Sequence, residues 1–178
     1  MNNNCNFQIT TIKLKNLSRN TFESDLRKTM DGKGKFLYKI YLNEELCRMI
    51  PGFSNGVPVY IGQTTDIIDR IYRHFKGMCP EFSYHPNMEK GRRLYAIMTG
   101  HGFNVPNIIL ENLYQYIEVD VDDLTETDVD LECYEAENLE AFKNRHGSIP
   151  VLNIREEKTT NVNKALTRKF LIEEEVSE

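Results

Sequence analysis

The stretch that decides the fold is FLYKIYL at residues 36–42. Its aromatic and β-branched residues favour a β-strand. A second stretch of this kind, VPVYIG at 57–62, follows a segment, 43–56, that contains Pro-Gly and Asn-Gly turn signals. We therefore predict a hairpin with an enlarged tip. Tyr38 and Tyr60 should come close together in it, because the paired strands run in opposite directions.

A helical pattern follows the hairpin. Thr65 is a suitable N-cap for a helix that begins at Asp66. The apolar residues that repeat at helical spacing are Ile67, Ile68, Ile71, Tyr72 and Phe75. Arg70 and His74 are four residues apart, so they share a face of this helix. A second helix is predicted at 92–100, ahead of glycines that can end it.

The remaining patterns complete a small sheet. Residues 107–113, NIILENL, predict a third strand, which extends at most to Glu118. Thr127 or Asp128 is the predicted N-cap of a last helix, which extends to about Arg145. The order strand, strand, helix, helix, strand, helix predicts an α+β fold. We expect a small, mainly antiparallel three-stranded sheet with helices packed on it.

Composition excludes several classes of protein. The 178 residues are 40% hydrophobic and include nine Tyr and nine Phe, which is enough for a core and argues against disorder over the whole length. No apolar run approaches the roughly 18 residues of a transmembrane helix. The first residues, MNNNC, lack the basic-then-apolar order of a signal peptide. We therefore expect a soluble cytoplasmic protein with no membrane partner.

The cysteines do not form a recognisable framework. They lie far apart, at positions 5, 47, 79 and 133, and no C-x-x-C motif is present. Such spacing disfavours disulfides and favours free thiols in a reducing compartment. A zinc site that combines Cys79 with His74 or His85 can be drawn, but the paired-ligand spacing of structural zinc sites is missing.

Charge is distributed unevenly along the chain. The net charge is −5, yet the segment 118–140 contains eleven Asp or Glu and no Lys or Arg. The rest of the chain therefore carries a net charge of +6. This distribution permits DNA as a partner. It also requires the acidic stretch 118–130 to face away from a duplex or to limit nonspecific binding.

Glu135 occupies an unusual position on the last helix. At about 100° per residue it falls among the apolar residues of that helix, which are Leu131, Tyr134, Leu139, Ala141 and Phe142, with Asn138 on the same side. A carboxylate that faces a core needs a positive partner. Glu135 is therefore a metal ligand, an acid–base group or half of a buried salt bridge. Arg70 and His74 are phosphate-binding candidates or solvated surface residues.

Several motifs in order resemble those of the GIY-YIG nuclease family. They are LYKIY at 37–41, VYIGQTTD at 59–66, Arg70-x-x-x-His74, LYAI at 94–97 with Gly102-Phe103, ILE at 109–111, YEA at 134–136 and PVLN at 150–153. The resemblance covers about residues 34–155. One departure is Phe36, which stands where the family's first motif has glycine.

The resemblance implies a DNA endonuclease that uses a divalent metal and an activated water to cut a phosphodiester bond in one step. By position, Tyr38 and Tyr60 resemble the motif tyrosines, and the resemblance favours Tyr38 as the general base. Arg70 resembles the residue that neutralises the phosphate, and His74 its helper. Glu135 resembles the sole protein ligand of Mg²⁺, with Mn²⁺ as a substitute, as few protein ligands suit this ion. Asn153 is similar to the residue that braces the site.

The pattern of residues outside the resemblance completes a domain organisation. Residues 1–33 are polar and weakly patterned and predict an N-terminal arm or a short helix at about 20–30. Residues 34–155 are the predicted nuclease-like domain, with an insertion at about 43–57, and the charged residues 156–178 predict a tail or terminal helix. A double-strand cut needs two active sites, which favours a homodimer or a larger oligomer. The alternative is a DNA-binding or protein-interaction module on the same fold that does not cut.

Overall fold

The computed structural model describes residues 9–15, 22–78, 94 and 105–153 of the chain. The predicted helix at 92–100 lies outside these residues except for Leu94, which is helical and buried. The predicted C-terminal tail, together with Cys5, Cys79 and His85, also lies outside them. Of the two cysteines described, Cys47 is half-buried and Cys133 is exposed, and both are free thiols.

A four-stranded antiparallel sheet forms the centre of the described fold. Its strands are β1 (Thr10–Leu14), β2 (Lys33–Leu42), β3 (Tyr60–Asp66) and β4 (Ile117–Asp123), in the order β1-β4-β2-β3. The α+β class and the antiparallel hairpin are confirmed, with Tyr38 paired to Gly62 across it. The prediction of three strands is wrong, because β1, from within the segment predicted to be an arm, pairs with β4.

Helices lie between and after the strands. They are α1 (Phe22–Thr29), α2 (Glu44–Met49), α3 (Ile67–Met78), α4 (Asn107–Glu111) and α5 (Leu131–His146), with 3₁₀ turns at Leu113–Tyr116 and Val151–Asn153. The enlarged hairpin tip contains α2, whose N-cap is Asn43. No helix among the residues described is long and apolar enough to cross a membrane.

The third predicted strand is misplaced. Residues 107–113 form α4 and the start of a 3₁₀ turn, and the strand begins only at Ile117. A short apolar run fits either a helix or a strand, so periodicity alone does not separate them. The real strand, IEVDVDD, alternates buried Val119 and Val121 with acidic side chains. That period of two is the strand signal within what the sequence presents as an acidic run.

Both predicted N-caps are also displaced along the chain. Asp66, not Thr65, caps α3, and its Oδ1 accepts a hydrogen bond from the backbone N–H of Asp69 at 3.1 Å. Asp130 caps α5 and accepts from the N–H of Cys133 at 2.8 Å. Asp is at least as good an N-cap as Thr, so the sequence offers several caps and the length of the preceding strand or loop decides between them.

The sheet has two chemically different faces. The first face carries the even-numbered residues of β2, and packs against α3; its members include Phe36, Tyr38, Ile40, Val119, Val121, Ile67 and Ile71. On the second face Leu37 and Ile61 pack against Leu139 of α5. The rest of that face carries an acidic row, defined as Glu118, Asp120 and Asp122, which form ion pairs with Lys15, Lys13 and Lys39 respectively.

Candidate active site

Three aromatic rings from three elements form the centre of the candidate site. Tyr38 comes from the middle of β2, Tyr60 is the first residue of β3, and His74 lies in the last turns of α3. The ring centroids are 5.7 Å apart for the two tyrosines, 5.6 Å for Tyr38 and His74, and 5.4 Å for Tyr60 and His74. The exposed fraction is 0% for Tyr38, 7% for Tyr60 and 3% for His74. The predicted approach of the two tyrosines is therefore confirmed, and His74 joins them.

Hydrogen bonds connect the polar atoms of this cluster. The hydroxyl of Tyr38 lies 2.8 Å from Nε2 of His74. The side chains of Tyr38 and Tyr60 also interact, in the sense that the hydroxyl of Tyr38 favours negative charge on the oxygen of Tyr60. The three groups therefore form a buried polar cluster with Tyr38 at its centre.

Gly62 makes room for this arrangement. It lies opposite Tyr38 across the hairpin and two residues after Tyr60 on the same face of β3. A Cβ on Gly62 would lie 2.5 Å from Cε1, 2.7 Å from the hydroxyl oxygen and 2.9 Å from Cζ of Tyr60. The ring of Tyr60 therefore occupies the space of the missing side chain. The motifs in the sequence do not indicate this role of Gly62, but its spacing of two residues from Tyr60 on one strand could have indicated it.

The two phenols differ in acidity. Burial, followed by the neighbouring Tyr60, raises the pKa of Tyr38 well above its usual value, and the charge of Arg70 opposes this only in part. Burial and then the charge of Glu135 raise the pKa of Tyr60 to about 12, while its hydrogen bond with Tyr38 and the charge of Arg70 lower it. Tyr60 is therefore the phenol of this pair that ionises more easily.

Arg70 lies at the edge of the cluster. Arg70 is exposed on α3, whereas His74, four residues later, is buried. The positive charge of Arg70 lowers the pKa of both tyrosines. An exposed cation whose charge acts on a buried polar cluster is well placed to meet a phosphate from solvent.

Glu135 reaches the same cluster from the opposite layer of the fold. Its residue is only 8% exposed, as its helical position predicted. Its charge raises the pKa of both Tyr38 and Tyr60. The apolar face predicted around Glu135 is confirmed for Leu139 and Phe142, but Ala141 is exposed and Ala136, about 140° away around the helix, packs there instead.

The donor set near Glu135 fits an ion that keeps most of its water. Within the described ranges, no three His, Cys, Asp or Glu side chains cluster as a metal site. From the described residues, a metal at Glu135 would therefore have at most two such protein ligands, and few protein ligands suit Mg²⁺, which keeps several waters and binds phosphate oxygens. Nε2 of His74 faces the hydroxyl of Tyr38, and the zinc site drawn with Cys79 or His85 includes residues outside the described ones.

Asn153 holds the free edge of β3. Its Nδ2 donates to the carbonyl of Ile61 at 2.7 Å, and its Oδ1 accepts from the N–H of Ile61 at 3.0 Å. The N–H of Leu152 donates to the carbonyl of Val59 at 2.9 Å. These bonds fix the backbone on both sides of Tyr60. Asn153 is therefore a positioning residue that lies outside the ring cluster.

Comparison of the chain with protein-family models, with curated proteins and with solved structures gave no significant match. The function is therefore inferred from the geometry of this site and from the motifs in the sequence.

Proposed function

We propose that the protein is a divalent-metal-dependent endonuclease that hydrolyses phosphodiester bonds of DNA by direct attack of an activated water. One observation carries the proposal. In the buried cluster of Tyr38, Tyr60 and His74, the pKa values of both tyrosines respond to a cation, Arg70, and to a carboxylate, Glu135. These are the groups that a water, a phosphate and a metal ion each require.

We assign the contact with the attacking water to Tyr60. The motif resemblance favours Tyr38, but Tyr38 is fully buried, and the interaction between the two phenols raises the pKa of Tyr38 while it lowers that of Tyr60. Tyr60 ionises by losing its proton to solvent, and the neighbouring hydroxyl of Tyr38 and the charge of Arg70 both favour the ionised form. The resulting phenolate accepts a proton from the water as the water attacks phosphorus, and the leaving oxygen departs from the opposite side.

Arg70 and Glu135 have electrostatic roles in this proposal and transfer no proton. The guanidinium of Arg70 binds the non-bridging phosphate oxygens, on which negative charge grows in the transition state. Glu135 would hold Mg²⁺, or Mn²⁺ in its place. When bound, the metal supplies Lewis-acid stabilisation of the phosphate and the leaving oxygen. The negative charge of Glu135 raises the pKa of Tyr60. A cation held at Glu135 would offset this charge and so favour ionisation of Tyr60.

The test is incubation of the protein with supercoiled plasmid and Mg²⁺, followed by separation of nicked and linear products. We expect the wild type to cut and EDTA to stop it. Glu135→Gln keeps the size of the side chain and removes only its charge, so we expect it to fold and bind DNA but not to cut. Cutting by Glu135→Gln at a near wild-type rate would contradict the metal role of Glu135.

The same plasmid assay distinguishes a homodimer from a monomer, and a nuclease from a module that binds DNA without cutting it. A homodimer with two active sites should give linear product early in the reaction, whereas a monomer gives only nicked plasmid first. DNA binding without any cutting by the wild type would instead support the alternative of a cleavage-inactive module.

A further inference from the structure

Helix α3 presents two distinct sectors around its circumference. At about 100° per residue, the sector against the sheet contains Ile67, Ile68, Ile71, His74, Phe75 and Met78, all of which are buried. The other sector contains Asp69, Arg70, Tyr72, Arg73 and Lys76, which are exposed or half-buried. Arg70 lies on the border between the two sectors, next to His74. The exposed Arg70 therefore connects the outer sector of this helix with the buried His74 of the candidate site.

A row of three cations begins at that border. Arg70, Arg73 and Lys76 follow one another at intervals of three residues, so each is displaced by about 60° around the helix and about 4.5 Å along it. The three therefore lie within about a third of the circumference and about 9 Å of length. This basic row leads directly away from the candidate site.

Neighbouring side chains hold two of these cations in place. Arg73 forms an ion pair with Asp69 one turn earlier, and its side chain remains 39% exposed. Nζ of Lys76 lies 4.3 Å from the centre of the Tyr72 ring, a cation–π geometry. Asp69 is the single acidic residue in the sequence of α3, so the outer sector keeps a net positive charge.

The acidic row lies on the other side of the sheet. Asp120 and Asp122 pair with Lys39 and Leu37, which point away from the face that contains Tyr38 and α3. A polyanion that approaches the chain, whose net charge is −5, therefore meets the cations of α3 on one side of the sheet and the ion-paired acidic row on the other. Of the acidic stretch, Glu118, Asp120 and Asp122 face away from the α3 side, whereas Asp123, which is paired with Phe36, does not.

We infer that Arg73 and Lys76 bind backbone phosphates of duplex DNA next to the reacting phosphate, an inference that rests on the proposed function. Phosphates of one strand are spaced about 3.4 Å apart along the duplex axis, so a row of about 9 Å spans two to three of them. Arg70 takes the phosphate at the ring cluster, and the other two cations take its neighbours. The row sets the position of the strand and carries no base specificity.

The experiment measures binding of a short fluorescein-labelled duplex by fluorescence polarisation, in EDTA and over a series of salt concentrations. The test variant is Arg73→Gln with Lys76→Gln. The matched control is Lys13→Gln with Lys15→Gln, which also removes two positive charges and, as at Arg73, leaves ion-paired carboxylates behind. Gln retains the unbranched stem of these side chains as far as Cδ, carries no charge and favours a helix nearly as well as Lys.

Loss of two phosphate contacts should lower the slope of log K against log salt by about 1.8 and weaken binding about sixtyfold near 0.1 M salt. The control should keep the wild-type slope. An unchanged slope in the test variant, an equal loss in both variants or absence of wild-type binding would each overturn the inference. If the wild type shows this binding and never cuts plasmid in Mg²⁺, the nuclease proposal fails while the basic row stands.

Discussion

Replacement of Gly62 by Ala tests whether the tyrosine arrangement matters for function. The added methyl group would lie 2.5 Å from Cε1 of Tyr60, whereas ordinary contact begins at 3.4 Å. The ring must therefore move by about 0.9 Å. Because the hydroxyl of Tyr60 would lie 2.7 Å from the same methyl group, this movement displaces the atom to which we assign the proton transfer.

The expected consequences follow from that distance. A misplacement of about 1 Å in a catalytic group can reduce the rate about a hundredfold. Overpacking of a buried site costs about 1–3 kcal/mol of folding free energy, which lowers the melting temperature by roughly 2–12 °C for a chain of this size. We therefore expect Gly62→Ala to fold at 25 °C and to cut plasmid about a hundred times more slowly than the wild type.

The assay needs a control that loses stability without a change at the site. Gly56 has a φ of 77° and lies in the hairpin tip, where an added Cβ meets nothing within 4 Å. Gly56→Ala should therefore lose about 1–2 kcal/mol through backbone strain alone. We expect its single-turnover rate to stay at the wild-type value. Wild-type cutting by a folded Gly62→Ala variant would refute the role given to Tyr60.

Three further predictions concern the residues around the rings. Arg70→Ala should reduce the single-turnover rate about a hundredfold or more and reduce DNA affinity much less; equal losses in rate and affinity would identify Arg70 as an ordinary backbone contact. Tyr60→Phe should impair cutting more than Tyr38→Phe. The wild-type rate should rise about tenfold per pH unit between about pH 6 and 9, because a phenol whose pKa is about 12 gains phenolate in that proportion; a flat profile or the opposite ranking would count against Tyr60 as the base. Asn153→Ala should cost about 1–3 kcal/mol, measured by thermal melting, because it leaves two buried backbone groups of β3 without their hydrogen bonds. Asn153→Asp should cost more, since it sets a carboxylate oxygen against a carbonyl, and equal melting of the two variants would contradict this geometry.

The hairpin and the ring cluster are largely predictable from the sequence, because local patterns determine them. The alternation in β2 and the helical repeat in α3 place Tyr38 and His74 on surfaces that must meet in the core. The burial of Glu135 follows in the same way from its spacing to Leu131 and Leu139. Packing of each apolar face against its neighbour then brings these residues together.

What the sequence does not predict depends on distant partners. β1 is a five-residue strand that exists through its pairing with β4, more than a hundred residues later, and nothing local distinguishes it from an arm. The order of acidity of Tyr38 and Tyr60 depends on burial and on charges from α3 and α5. These are properties of the assembled fold, and a motif resemblance does not contain them.

The alternation in β4 also determines how the sheet can assemble. β4 lies between β1 and β2, so its alignment sets both neighbouring pairings. A slip of one residue would turn Val119 and Val121 outward and the acidic row inward against the apolar core. Transfer of each carboxylate out of water costs several kcal/mol. The partly exposed ion pairs of Glu118 and Asp120 stabilise the native sheet only slightly, yet the carboxylates of the row exclude the misaligned sheets that the same backbone could form.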